Sequence, residues 1–124
     1  MYDSAMSRRL YAAGDIFLMP SIFEPCGLSQ MIAMRYGNVP FVRDTGGLKD
    51  TVIAYNIETG EGNGFSFPNI NAHDMLFLMK KALNLYQNDK NSWNNIIRNG
   101  MVGDYSWDKS AREYNQSYDE LLAQ

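Results

Sequence analysis

Residues 20–47, PSIFEPCGLSQMIAMRYGNVPFVRDTGG, decide the fold of this chain. With the apolar run just before them they read as strand, loop, helix, strand, loop. Asp15 to Met19 is a buried-strand run that feeds the turn Pro20-Ser21. Glu24, Pro25, Cys26 and Gly27 stand where the carboxyl end of that strand passes into the amino end of a helix from about Leu28 to Tyr36. Gly37 is expected to end the helix in the left-handed conformation that other residues resist. Val39 to Arg43 follows as a second buried strand. Units of this kind are parallel and right-handed, and they bind ligands at the carboxyl ends of their strands. The expected class is α/β, a parallel sheet with flanking helices.

The loop between strand and helix carries the chemistry. A helix amino end presents unpaired backbone N–H groups and a partial positive charge, a ready site for phosphate or polarised hydroxyls. Gly27 allows a ligand close to the backbone, and Ser29 adds a hydroxyl beside those amides. Glu24 stands at the rim of the same electropositive spot, where a polyhydroxylated ligand can be held. A carboxylate beside a phosphate-binding helix end points to a sugar phosphate or a nucleotide sugar. Thr45-Gly46-Gly47 is a tight turn after the second strand. Alone, a Gly-Gly turn is ordinary; beside the first loop in a parallel sheet it reads as a second lining of the same pocket.

Outward from this centre, Asp3 or Ser4 caps a helix running to about Ala13, with Gly14 as its stop. Ala5, Leu10 and Ala13 form its apolar face, and Arg8 and Arg9 a solvated one. Leu48 to Ala54 is a short helix with Asp50 in its first turn. Residues 58–63, ETGEGN, form a polar loop before a short strand from Gly64 to Pro68. Asn71 or Ala72 starts a helix whose apolar positions, Met75, Leu76, Leu78, Met79, Leu83 and Tyr86, recur at helical spacing. His73, in its first turn, reads as a surface residue. A further helix runs from Asp89 or Ser92 to about Gly103, with Trp93, Ile96, Ile97 and Met101 inward. Ser106 caps a last helix, Trp107 to Leu122.

Composition narrows the function classes. At 124 residues the chain is the size of one domain with a moderate core. Eleven basic against 14 acidic residues give a net charge of −3, and no basic stripe argues for nucleic acid. The longest apolar runs are strand length, so no membrane span is expected. One cysteine makes no internal disulfide, which fits a reducing cytoplasm. A single Cys and a single His argue against a metal site. No cofactor is implied.

Three stretches, AGDIFLMPS (13–21), FEPCGLSQ (23–30) and RDTGGLKDTV (43–52), resemble the nucleotide-sugar-binding half of bacterial glycogen synthases and plant starch synthases. The resemblance runs from Tyr2 to about Tyr118. It implies a retaining glucosyltransferase of the GT-B type, two Rossmann-like domains facing across a cleft, with ADP-glucose as donor and the non-reducing end of an α-1,4-glucan as acceptor. Residues 1–124 would be part of its C-terminal nucleotide-sugar-binding domain, with Met1 an artificial start. The N-terminal domain of the same enzyme would be the missing partner, onto which the last helix crosses back. The basic residues that neutralise the diphosphate would lie upstream, so the chain alone is expected to have no transferase activity and weak donor affinity.

By the same resemblance, Tyr2 stacks on the adenine. Glu24 holds a glucose hydroxyl, O3, helped by the amides of Cys26 and Gly27. The amides of Gly27, Leu28 and Ser29 receive the departing β-phosphate, and Thr45, Gly46 and Gly47 line the sugar-phosphate pocket. Two other roles for Glu24 stand beside this one, a nucleophile and a cap of the helix. Related transferases often carry a second glutamate eight residues after the first to hold the ribose; here that position is Ile32, which favours the synthases over a sucrose synthase-like enzyme. A non-catalytic carbohydrate- or nucleotide-binding module would need an exposed aromatic platform, whereas Trp93 and Trp107 are spaced as core residues. An oxidoreductase domain would need a G-x-G-x-x-G after a strand, and none is present.

Overall fold

The computed structural model describes residues 3–123. In chain order the elements are α1 (Ser4–Ala13), β1 (Ile16–Met19), α2 (Ser29–Arg35), β2 (Val39–Arg43), α3 (Gly47–Thr51), β3 (Phe65–Phe67), α4 (Ala72–Asn88), α5 (Lys90–Val102) and α6 (Trp107–Leu122). The three strands form one parallel sheet in the order β1-β2-β3. Tyr2, expected to stack on a purine, lies outside the described residues.

Central β2 is buried along its whole length and sends alternate side chains to the two faces of the sheet. Val39 and Phe41 join Phe65, Phe67, Ala82, Trp93 and Ile96 under α4 and α5, while Val42 meets Leu48 and Val52 on the other face. Pro40 sits in this central strand without breaking it. Successive N–H groups of a strand alternate between neighbours, and Val39 donates toward the β1 side, to Asp15 O at 2.9 Å. Position 40 therefore faces β3, whose ladder begins one residue later at Phe41 opposite Phe65. The missing proline donor falls where no partner strand needs it.

Several helix faces differ from the periodicity. On α1, Leu10, Ala5 and Ala13 are exposed; Tyr11 packs instead, with its ring centroid 5.4 Å from Phe17 and 5.9 Å from Tyr36. Gly14 ends α1 at φ −91°, in extended backbone and not left-handed. Its small size has a different use, since an added Cβ would lie 2.5 Å from Asn38 Oδ1. Gly37 does take the left-handed region, at φ 85°. On α4, Leu76 and Leu83 are exposed and Ala82 is the fully buried position. On α5, Met101 points out while Gly100 is buried against Met34. At Gly100 an added Cβ would lie 3.2 Å from Met34 Cγ, so the contact line of α5 favours a small residue there.

Helix α3 stops at Thr51, three residues before the expected Ala54. Asn63 takes over the backbone there: Ile53 N–H donates to its Oδ1 at 2.8 Å, and its Nδ2 donates to Thr51 O at 3.0 Å. The polar loop between is tied to α5 by Asn95 and Asn99, whose Nδ2 groups donate to Gly60 O at 2.8 and 2.9 Å; Asn99 also reaches Gly62 O at 2.8 Å. Asn99→Ala removes two hydrogen bonds, leaving Gly62 O without its side-chain donor while Gly60 O keeps Asn95, and is expected to cost about 1–2 kcal/mol. Urea denaturation with an unchanged slope, together with faster amide exchange in residues 56–63, checks this. An unaltered midpoint rejects the anchoring role.

Helix α6 stands off the body. Of its residues only Ser110 is half-buried, and Trp107, Tyr114, Tyr118 and Leu121 form an exposed stripe at helical spacing. Trp107 is 90% exposed, so its expected core position is corrected. Asp104, just before α6, accepts from Ser106, whose hydroxyl and N–H hold the carboxyl below the usual range. No helix among the described residues is long and apolar enough to cross a membrane.

Candidate functional site

The loop from β1 to α2 is held from beneath by Arg43, at the end of β2. The residue is buried, 9% exposed. Nε donates to Ser21 O at 2.6 Å, and a terminal nitrogen donates to Ile22 O. No carboxylate pairs with it among the described residues. A buried arginine is stable only when its donors are used, so it clamps the backbone just before Glu24.

The second loop lies directly on the first. Gly47 N–H is shared between Glu24 O and Pro25 O, at 3.2 Å each. The contact requires glycine twice. Gly46 is at φ +49°, and a Cβ there would overlap the Glu24 carbonyl; one on Gly47 would lie 2.7 Å from Cys26 Cα. Residues 24–27 and 45–47, 18 or more positions apart in sequence, thus share one wall. Gln30, fully buried in the first turn of α2, faces the other side of that wall.

What this wall leaves free is a set of donors and one acceptor. Helix α2 begins after Leu28, which has no side-chain cap. The N–H groups of Gly27, Leu28 and Ser29 donate to no acceptor among the described residues. The carboxylate of Glu24, a half-buried residue, has no hydrogen-bond or ion-pair partner among those residues, so it does not cap α2. Gly27 is at φ +71°, Cys26 is exposed, and Leu28 projects outward at 68% exposure. With seven residues α2 is short, so its pull on an anion comes from these local amides more than from a long dipole. Three free amides and a carboxylate within one loop offer donors for an anion and an acceptor for a hydroxyl.

Sequence reasoning passed over Arg43, Gln30 and Asp44, whose Oδ1 is buried without a partner among the described residues. Nothing in their spacing marked them; Arg43 and Gln30 act through partners more than 20 positions away in sequence. Among the described residues no three His, Cys, Asp or Glu gather as a metal site would need. An apolar groove of about 480 Å³ lies away from this wall, between α1 and β1, lined by Met6, Leu10, Tyr11, Ile16 and Phe17. Its lining also includes Asp3, Ser7 and Asn38 but no basic side chain to match a phosphate.

The family model described as glycosyl transferases group 1 matches residues 4–100. A glycogen synthase of Clostridium novyi is 54% identical over 121 residues, covering 98% of this chain and 25% of the relative. One from Clostridium botulinum is 57% identical over 120 residues, covering 97% of this chain and again 25% of the relative. Among solved structures, the catalytic domain of starch synthase IV from Arabidopsis thaliana, bound to ADP and acarbose, superposes with a TM-score of 0.84 at 42% identity. It is matched over 100% of this chain and 26% of its own. The chain therefore spans about a quarter of the length of the relatives it matches.

Proposed function

Because the chain belongs to the glycosyl transferases group 1 family, we propose that it is the donor-binding part of a glycogen or starch synthase, a retaining enzyme that moves glucose from ADP-glucose to the 4-hydroxyl at the end of an α-1,4-glucan. The observation that carries this reading is the interlock of the two glycine loops through Gly47 N–H, with the Glu24 carboxylate and the amides of Gly27, Leu28 and Ser29 in the first loop unpaired among the described residues. The identities to glycogen synthases and the ADP held by the starch synthase neighbour support both the chemistry and an adenine nucleotide as the leaving group.

In the reaction the bond from glucose C1 to the β-phosphate oxygen breaks and the acceptor oxygen takes its place on the same face, its proton passing to the departing phosphate. Negative charge grows on the phosphate as it leaves. The N–H groups of Gly27, Leu28 and Ser29, with the Ser29 hydroxyl, face that charge without having to reorganise. Glu24 accepts from O3 of the glucose and sets the ring's orientation, with Cys26 and Gly27 amides on the O3 and O4 side. Thr45, Gly46 and Gly47 close the phosphate side. Residues 1–124 form part of the C-terminal nucleotide-sugar-binding domain of a cytoplasmic enzyme, and the exposed stripe of α6 is the surface that meets the N-terminal domain. The acceptor glucan and the remaining phosphate contacts belong to that other part of the protein.

Amide NMR shifts during titration with ADP-glucose, UDP-glucose and ADP test the donor site. Shifts gathered at Gly27 to Ser29 and Thr45 to Gly47, larger with ADP-glucose than with UDP-glucose and reduced in Glu24→Ala, are the expected result. Shifts centred instead on the α1–β1 groove reject the assignment.

A further inference from the structure

Gln30 is fully buried, and its carboxamide does two things at once. Nε2 donates to Gly27 O at 2.7 Å and to Thr51 Oγ1 at 3.0 Å. Thr51 Oγ1 in turn donates to Gly47 O at 2.9 Å. A continuous line of hydrogen bonds therefore runs from the first glycine loop, through two side chains 21 positions apart, to the second. The far end of the same line is closed by Gly47 N–H on Glu24 O and Pro25 O. Gln30 Oε1 is buried without a partner among the described residues. An apolar side chain of similar volume would not carry that unpaired acceptor. The amide is explained by what its N–H groups hold.

We propose that Gln30, acting through Thr51, is a positioning residue that sets the separation of the two loops and so the placing of Glu24 against the free amides. The inference rests on the donor-site reading for its effect on catalysis, but the brace itself is independent of it. Gly27 makes it possible, because a Cβ there would lie 2.6 Å from Gln30 Oε1 and push the carboxamide away.

The test uses the whole protein that carries this segment, with Gln30→Leu, Thr51→Val, Thr51→Ser and the double variant Gln30→Leu/Thr51→Val. In Gln30→Leu and Thr51→Val, exchange at Gly47 N–H is expected to quicken at least about tenfold. Because a misplacement of about 1 Å costs up to 10²-fold in rate, kcat is expected to fall about 10- to 100-fold with the donor KM within about threefold. Thr51→Ser, which keeps the hydroxyl, restores both. The double variant matches the singles, since the two side chains act as one link. Unchanged Gly47 exchange in a folded Thr51→Val, or losses that multiply in the double variant, overturns the proposal. If Gln30→Leu does not fold, the two Thr51 variants decide. A wild-type protein that transfers no glucose refutes the donor-site reading, and the exchange measurement still decides the brace.

Discussion

Gly46→Ala is expected to cost about 2–4 kcal/mol and to abolish donor binding. The residue sits at φ +49°, ψ −138°, a region that an L side chain enters at a cost of about 1–3 kcal/mol. Its added Cβ would also overlap the Glu24 carbonyl oxygen. That oxygen accepts from Gly47 N–H, so relieving the overlap opens the contact between the loops and loses about one further hydrogen bond, worth about 0.5–1.5 kcal/mol. Glu24 moves with its own carbonyl. Denaturant midpoints and donor titration measure the two consequences. A variant with wild-type stability would mean that the loops are not locked together in solution.

Glu24→Ala is expected to lower glucosyl transfer by the whole enzyme about 10²- to 10³-fold, the usual loss on removing one preorganised polar group from a reacting centre. Stability should change by less than about 0.5 kcal/mol, because the carboxylate has no protein partner to lose among the described residues. Glu24→Gln separates the roles open to this residue. An acceptor for O3 is partly replaced by the amide oxygen, so transfer recovers to within about tenfold of wild type. A nucleophile is not replaced, and the two variants would then be equally impaired. Equal loss in both would overturn the sugar-holding role, while full activity in Glu24→Ala would remove the residue from the site altogether.

Some parts of this protein were legible residue by residue. The β-loop-α-β unit, Gly37 as a left-handed stop, β2 at Val39–Arg43 and the caps of α1, α4, α5 and α6 by Asp3, Asn71, Asp89 and Ser106 all follow from local chemistry. A cap or a positive φ is settled by its immediate neighbours. The two motif loops were also legible, because glycines and a carboxylate at a strand's carboxyl end carry their own chemical meaning. Which apolar residue of a helix is buried was less so. Leu76, Leu83 and Met101 fit the period yet face solvent, while Ala82 and Gly100 take the contact line, since burial depends on how closely another helix approaches. The standing-off of α6, with Trp107 in solvent, likewise depends on what lies against it.

Sequence alone determined the order of elements along the chain: which residues end a strand and which open or cap a helix. Only the tertiary structure decided that Gly47 rests on Glu24, that Arg43 clamps Ser21 and Ile22, and that Gln30 reaches Thr51. These pairs are about 20 positions apart, and no local preference encodes them. They arise because parallel pairing brings the carboxyl ends of β1 and β2 side by side, which places the segments that follow the two strands within hydrogen-bonding reach of each other.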